Sequence, residues 1–470
     1  MKKFLAIFLT LALILGLCAC GGSKADEKTS AATGFQVGYA REDILPDGSI
    51  GLSGFTNPDI RRSTGYRDII YTTCLAISEG DDTILLFSVD VINMAQGKHI
   101  REKVSEKTGV PFSNIMVSAT HNHSGPEYGE QPYFKDIFVP AFEKAAEKAL
   151  ADLAPATMYG TKASTGNMSS VRHYITNDGV YVDNNTAANN PVGLAKHARE
   201  ADPEMVIVKI DREGDKKDIS LINWQCHPCF SIATDTYISA DFIASLRSQV
   251  EEKTGSQVIY FTGAAGDVGS KSYINKENNY SDPVFYGNAL ADIALDALNG
   301  TMTKIEGSGL TINHERFEYQ TNRIGLEQLE DAKKVQEMVK QVGSPDGAEV
   351  NAYAKSLGFS TARQAVTIVN NAELPEKATM ELNALNLAGL AFVTAPYEMC
   401  AQDGVLIKQG SPFDFTVVST LSNEHYSYFP RKEAFESPRT IYEVNAAKFA
   451  KGAAEATAAE LVSMLQELQS

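Results

Sequence analysis

Basic charge is what this chain most lacks. Against 59 acidic residues it has 42 Lys and Arg, a formal net charge of -17. No strong positive field exists to hold a phosphate backbone, which argues against nucleic acid as a partner. Tryptophan occurs once, cysteine six times and histidine eight times in 470 residues. The later cysteines, Cys74, Cys226, Cys229 and Cys400, are too few for a disulfide scaffold and leave room for one or two bridges. Cys226-His-Pro-Cys229 follows a strand pattern rather than opening a helix, so a redox pair is not expected there. Histidine is scarce enough that a site built from several would use much of the supply. Past the first twenty residues no apolar run is long enough to cross a bilayer. Hydrophobic residues make up 43% and charged ones 21%, which excludes wholesale disorder, and the length allows a large core.

The start stands apart. Lys2-Lys3 precede an apolar run from Phe4 to Gly16, then Leu17-Cys-Ala-Cys20. A basic end followed by a short apolar stretch is an export signal, not a spanning helix. The Leu-x-x-Cys arrangement resembles a bacterial lipobox. It implies cleavage before Cys20, lipid on the Cys20 thiol, and a place in the bacterial cell envelope, anchored on the outer side of the cytoplasmic membrane. Residues 1–19 are thus expected to be signal peptide. Residues 20–34, polar and rich in Gly, Ser and Lys, are expected to be a flexible tether. Residues 35–470 form the body.

In the body, strand and helix patterns interleave. Strands are expected at 83–90, 115–119, 155–162, 204–211, 218–224, 257–261, 310–319, 379–395 and 415–420. Helices are expected at 97–109, 133–150, 241–251, 286–298, 326–342 and 352–357, and one long Ala-rich helix at 443–466. This order predicts an α+β fold, a mixed β-sheet core with helices packed outside.

Chemistry gathers where strands end. Ser118-Ala-Thr-His121-Asn-His123-Ser-Gly-Pro126 ends one, Gln225-Cys-His227-Pro228 another, Gly263-Ala-Ala-Gly-Asp267 a third and Ala395-Pro-Tyr-Glu398 a fourth. Strand ends share a rim, where sites are usually built. His121 and His123, on an extended stretch, would point to one face. Two imidazoles there suit zinc, or one ligand with a catalytic neighbour. Glu398 follows an apolar strand, where a carboxylate is costly unless paired or metal-bound. Asp90 and Asp267 end apolar strands and suit either orienting ligand imidazoles or capping turns.

These residues carry a resemblance. The chain resembles the catalytic domain of the neutral/alkaline non-lysosomal ceramidase family. Gly34 to Ile44 is similar to the family's opening strand, and Thr120-His-Asn-His-Ser-Gly-Pro126 to its strongest histidine signature. His227-Pro228, Gly266-Asp-Val268, Pro396-Tyr-Glu398, Asn423 to Tyr428 and Tyr442-Glu443 follow in family order. The resemblance implies one Zn2+ held by His121, His227, Glu398 and Tyr428. It implies His123 as the histidine beside the metal-bound water, Tyr442 as oxyanion donor and Arg172 as active-site arginine, with Asp267 in the same centre. The implied reaction is hydrolysis of the N-acyl bond of ceramide or a related N-acylated lipid by attack of metal-bound water. No protein partner is implied beyond the membrane.

The chain also departs from the family. Gly269 stands where the family has Ser. The polar section at about 315–377 looks divergent, and a further C-terminal sandwich domain is not expected. Two alternatives stay open: a zinc hydrolase acting on an N-acylated cell-wall sugar or peptide, and a non-catalytic surface lipoprotein. An apolar entrance to the metal would favour the lipid, and a polar cleft the sugar or peptide.

Overall fold

A computed structural model describes residues 34–469, apart from 56–57, 189, 276–279 and 346. The export signal, Cys20 and nearly all of the tether lie outside the described residues. Among these residues no helix is long and apolar enough to cross a membrane.

The body is a four-layer sandwich, helix–sheet–sheet–helix. The larger sheet has nine strands. In spatial order they run Gln257–Thr262, Ile219–Trp224, Glu204–Arg212, Ala154–Ser164, Gln36–Asp43, Tyr71–Glu79, Asp82–Val89 and Ile115–Ala119, with Thr303–Lys304 beside Ala154–Ser164. The second sheet holds Leu310–Gln320, Lys377–Leu387, Leu390–Thr394 and Thr416–Ser419. One core lies between the sheets, where Val37, Leu75, Leu86, Val208 and Phe261 meet Leu385, Phe392 and Val417. The helices Val139–Ala151 and Phe242–Thr254 cover the outer face of the larger sheet, and Ala401–Gly410 and Ala453–Glu467 that of the second.

Within these two sheets three strand pairs are parallel: Asp82–Val89 with Ile115–Ala119, Ile219–Trp224 with Gln257–Thr262, and Leu390–Thr394 with Thr416–Ser419. A helix connects each pair, as parallel neighbours require. Ile115–Ala119, Ile219–Trp224, Leu390–Thr394 and Thr416–Ser419 are buried at every residue. Strands covered on both faces read as continuous apolar runs, so their pattern was plain in the sequence. At their C-terminal ends the two sheets are tied together. Thr420 N–H donates to the Thr262 carbonyl at 3.1 Å, and Asn223 Nδ2 donates to the Val418 carbonyl at 2.8 Å. This junction brings the carboxyl ends of strands from both sheets to one rim.

Two expectations need correction. The closing helix is not continuous. It consists of Tyr442–Ala446 and Ala453–Glu467. Between them Ala450 N–H bonds to the Gln320 carbonyl, and Gly452 turns the chain at φ 96°. Pairing with the second sheet outcompetes the helix propensity of this Ala-rich stretch. The polar section also holds a helix the pattern missed, Ala362–Ala372, capped by Thr361 Oγ1. Its buried face is mostly small, with Ala362 and Ala365 beside Ile368 and Val369. With Leu329–Val342 and Ala348–Ser356 it forms a separate small core around Val335, Val350 and Ile368.

Candidate metal centre

The rim gathers three imidazoles. His121, His123 and His227 offer one nitrogen each, all within 4.8 Å of one another. His121 stands just past Ile115–Ala119 and His227 just past Ile219–Trp224. His121 is not extended as expected. Its φ is 71°, and its N–H is held by the Val91 carbonyl at 3.0 Å. A left-handed residue costs about 1 kcal/mol or more unless its surroundings fix it. The ring of His123 still turns inward, with its centroid 5.0 Å from those of both His121 and His227. Gly54 lets it pack there: at φ 114°, an added Cβ would fall 2.7 Å from His123 Cα.

The imidazoles divide by what holds them. His121 Nδ1 lies 2.6 Å from the Ile92 carbonyl, and His227 Nδ1 lies 3.0 Å from the Ala265 carbonyl. Carbonyls only accept, so both rings carry their proton on Nδ1. Their Nε2 lone pairs then face each other at 2.9 Å. Glu398 Oε2 adds its charge 3.2 Å from one and 3.7 Å from the other. That oxygen is buried without a hydrogen bond. Three acceptors converge on one point with no donor among them, an arrangement that fits a cation. The orienting groups are backbone carbonyls, so of the two readings left open for Asp90 and Asp267 the orienting one does not hold. Asp90 instead binds Arg247 at 2.6 Å and Thr120 Oγ1 at 3.2 Å. Asp267 accepts from the Ala401 N–H at 2.7 Å, behind Glu398.

His123 has no such anchor, and neither of its ring nitrogens has a well-formed hydrogen bond. Burial first, then the neighbouring His121 and Arg172, pushes its pKa well below the ordinary value. The same burial and the nearby His121 push His227 down.

Glu398 and Tyr428 are direct partners in a short parallel bridge, so their side chains share a face. Gly266 allows the approach, since a Cβ there would come within 2.6 Å of the Glu398 carbonyl oxygen. The Tyr442 ring meets Tyr428 edge-on at 5.5 Å. Arg172 lies over Tyr428, its guanidinium 5.8 Å from the ring centre. Position 269, Gly where the resemblance implies Ser, borders that arginine: a Cβ there would lie 3.9 Å from Arg172 Cδ. The structure therefore brings His121, His123, His227, Glu398, Tyr428, Tyr442 and Arg172 together, with Asp267 one step behind. Cys226 and Cys229 are free thiols, and burial raises Cys229 to about 11.

Sequence reasoning gave no role to Glu443 and His173. Arg172 Nη2 lies 3.1 Å from Glu443 Oε1, and His173 Nε2 lies 2.9 Å from Glu443 Oε2. Burial works to raise the Glu443 carboxyl, but His173 and then Arg172 outweigh it and hold it at about 2. Burial works to lower His173, but Glu443 outweighs it and raises the ring above its ordinary 6.5. Glu443 thus stabilises the fold above its ordinary 4.5, an effect lost as pH falls toward 2. The His173 contribution is full below 6.5 and fades as pH rises through the raised value. His173→Gln keeps a donor but loses the charge. Its melting temperature should fall furthest below wild type between about pH 4.5 and 6.5 and approach it at alkaline pH. A constant gap from acid to alkaline pH would remove the charge from the account.

The family model for the N-terminal part of neutral/alkaline non-lysosomal ceramidases matches residues 35–364. The chain belongs to that family. The match runs through most of the polar section read as divergent. Two solved structures share the fold. Neutral ceramidase from Pseudomonas aeruginosa aligns at TM-score 0.67 and 16% identity, over 93% of this chain and 75% of its own. A ceramidase complexed with C2 aligns at TM-score 0.68 and 15% identity, over 93% and 76%. The histidine cluster, able to hold a divalent metal, and the family together support a metal-dependent amidohydrolase.

Proposed function

We propose that this protein is a zinc-dependent amide hydrolase that cleaves the N-acyl bond of ceramide or a related N-acylated lipid. One observation carries the reading: two imidazoles anchored through Nδ1 face an unpartnered carboxylate oxygen, in a chain of this family. Ligand histidines almost always give their other N–H to an acceptor. His121 and His227 do so and His123 does not. The metal ligands are therefore His121, His227 and Glu398, with Tyr428 as a weaker fourth. Zinc bound there would bring the pKa of a water to about 7 and polarise a carbonyl. His123, whose ring nitrogens make no well-formed hydrogen bond, takes a proton beside the reacting carbon and returns it to the leaving amine. Tyr442 and Arg172 donate to the oxygen that becomes negative. Asp267 steadies Glu398 through Ala401.

The lipid substrate is the one the family suggests. Arg61 Nη1 donates to the His123 carbonyl at 2.7 Å, and Ser124 Oγ donates to Ser231 Oγ at 2.6 Å. The chain neighbours of Arg61 and Ser231 are Ile60 and Ile232, 62% and 65% exposed. These two isoleucines neighbour in sequence the residues that hold the histidine turn, and we take them as candidate acyl-chain contacts. The test is metal content and fatty-acid release by the purified chain, on short-chain ceramide, an N-acyl amino sugar and an N-acyl peptide. Zinc with release from ceramide supports the reading. Release from the sugar or peptide alone would replace the lipid, and no release from any would leave a binding protein.

The cell-envelope position is also a proposal, and it rests on the lipobox-like run. Intact-mass analysis of membrane-extracted protein should find a mature chain starting at acylated Cys20, with Cys18 gone. Another first residue without acyl mass would overturn it.

A further inference from the structure

We propose that Glu443 and His173 are positioning residues that clamp Arg172 over the metal centre. Glu443 is 1% exposed and immediately follows Tyr442 on the one-turn helix Tyr442–Ala446. Its two oxygens divide between Arg172 and His173, consecutive residues of a distant segment. Arg172 Nη2 also donates to the Gly266 carbonyl at 2.6 Å, and Gly266 packs against Glu398. The positive charge so fixed acts on His123, His227, Tyr428 and Tyr442 together. A buried guanidinium with one of its partners removed neither stays in place nor stays harmless. One Glu443 oxygen pairs with the guanidinium while His173 holds the other, so the carboxylate facing Arg172 is itself fixed. The clamp also joins the segment bearing Tyr442 to the one bearing Arg172, and both side chains lie against Tyr428. Neither Glu443 nor His173 need touch a substrate, and both act through Arg172.

The rate arm of the test rests on the amide hydrolase reading, and a second arm does not. Full-length Glu443→Gln, His173→Ala and His173→Gln are compared with wild type at measured zinc content. The rate probe is a short-chain N-acyl amide. The binding probe is acetohydroxamate, which ligates an open metal position whatever the substrate. Glu443→Gln should keep its zinc, lose about 10- to 100-fold in kcat with KM changed less than about threefold, and bind hydroxamate about tenfold more weakly. His173→Ala should follow in the same direction. His173→Gln, whose amide can replace the Nε2 donor, should recover to within about threefold of wild type. Wild-type kcat and hydroxamate affinity in the zinc-loaded variants would overturn the proposal. So would losses that track zinc content and melting temperature alone, or a His173→Gln no better than His173→Ala. If wild type cleaves no amide, the hydrolase reading fails and the hydroxamate arm still decides the clamp. If Glu443→Gln does not fold, the two His173 variants decide it.

Discussion

His121→Ala should leave the protein without bound metal and without measurable hydrolysis. The imidazole supplies one of three acceptors that converge on a single point. Removing it leaves His227 Nε2 and Glu398 Oε2, 3.7 Å apart, too few for a closed site. The loss should extend to stability, because the ligands come from strands of both sheets. A ligand at a thousandfold over its Kd stabilises the native state by about 4 kcal/mol. In a chain of this size each kcal/mol shifts Tm by only about 1 °C. Chelation of wild type should therefore lower its Tm by about 4 °C, and His121→Ala should melt at the chelated temperature with or without zinc. Metal analysis after gel filtration, with calorimetry in parallel, checks both halves. Full zinc occupancy in His121→Ala would refute the ligand assignment.

Why the ligands could be found in the sequence and their supports could not is a matter of distance along the chain. The strands that carry them are covered on both faces, so each reads as an unbroken apolar run with conspicuous polar residues at its end. His121, His227 and Glu398 announce themselves that way. Their supports leave no such mark. The Nδ1 partners of both histidines are backbone carbonyls, of Ile92 and Ala265, and a carbonyl has no residue type. Asp90 and Asp267 had the right residue type and the wrong neighbours, because Arg247 and the Ala401 N–H claim them first. Glu443 and His173 stand 270 positions apart, with no local pattern that could pair them. The break in the closing helix was hidden for the same reason. Ala-rich sequence favours a helix locally, and only the distant edge at Gln320 draws the segment around Ala450 out of it.

Tyr442→Phe should keep the zinc and lose most of the rate. The substitution removes one hydroxyl and keeps a half-buried ring that packs edge-on against Tyr428, so the fold should tolerate it. Burial raises the pKa of this hydroxyl above its ordinary value, with Arg363 the strongest opposing charge. It therefore stays a neutral donor at the pH where the protein works. A donor aimed at a developing oxyanion is worth about 100- to 1000-fold in kcat when removed. KM should change little, because the hydroxyl acts chiefly in the transition state. His123→Ala should likewise retain zinc, since its ring lacks the Nδ1 anchor of the two ligand histidines. Its loss should instead reshape the pH dependence of kcat/KM, because a proton carrier has gone. The competing account makes Tyr442 a packing residue at the start of a helical turn, where its N–H bonds to Asp183 Oδ2 at 2.9 Å. That backbone contact survives in Tyr442→Phe, so a purely structural tyrosine predicts a near-wild-type rate. Measured at full zinc occupancy, kcat/KM against pH for both variants separates the accounts. A rate within a few-fold of wild type in Tyr442→Phe returns that residue to packing, and an unchanged pH profile in His123→Ala removes the histidine from proton transfer.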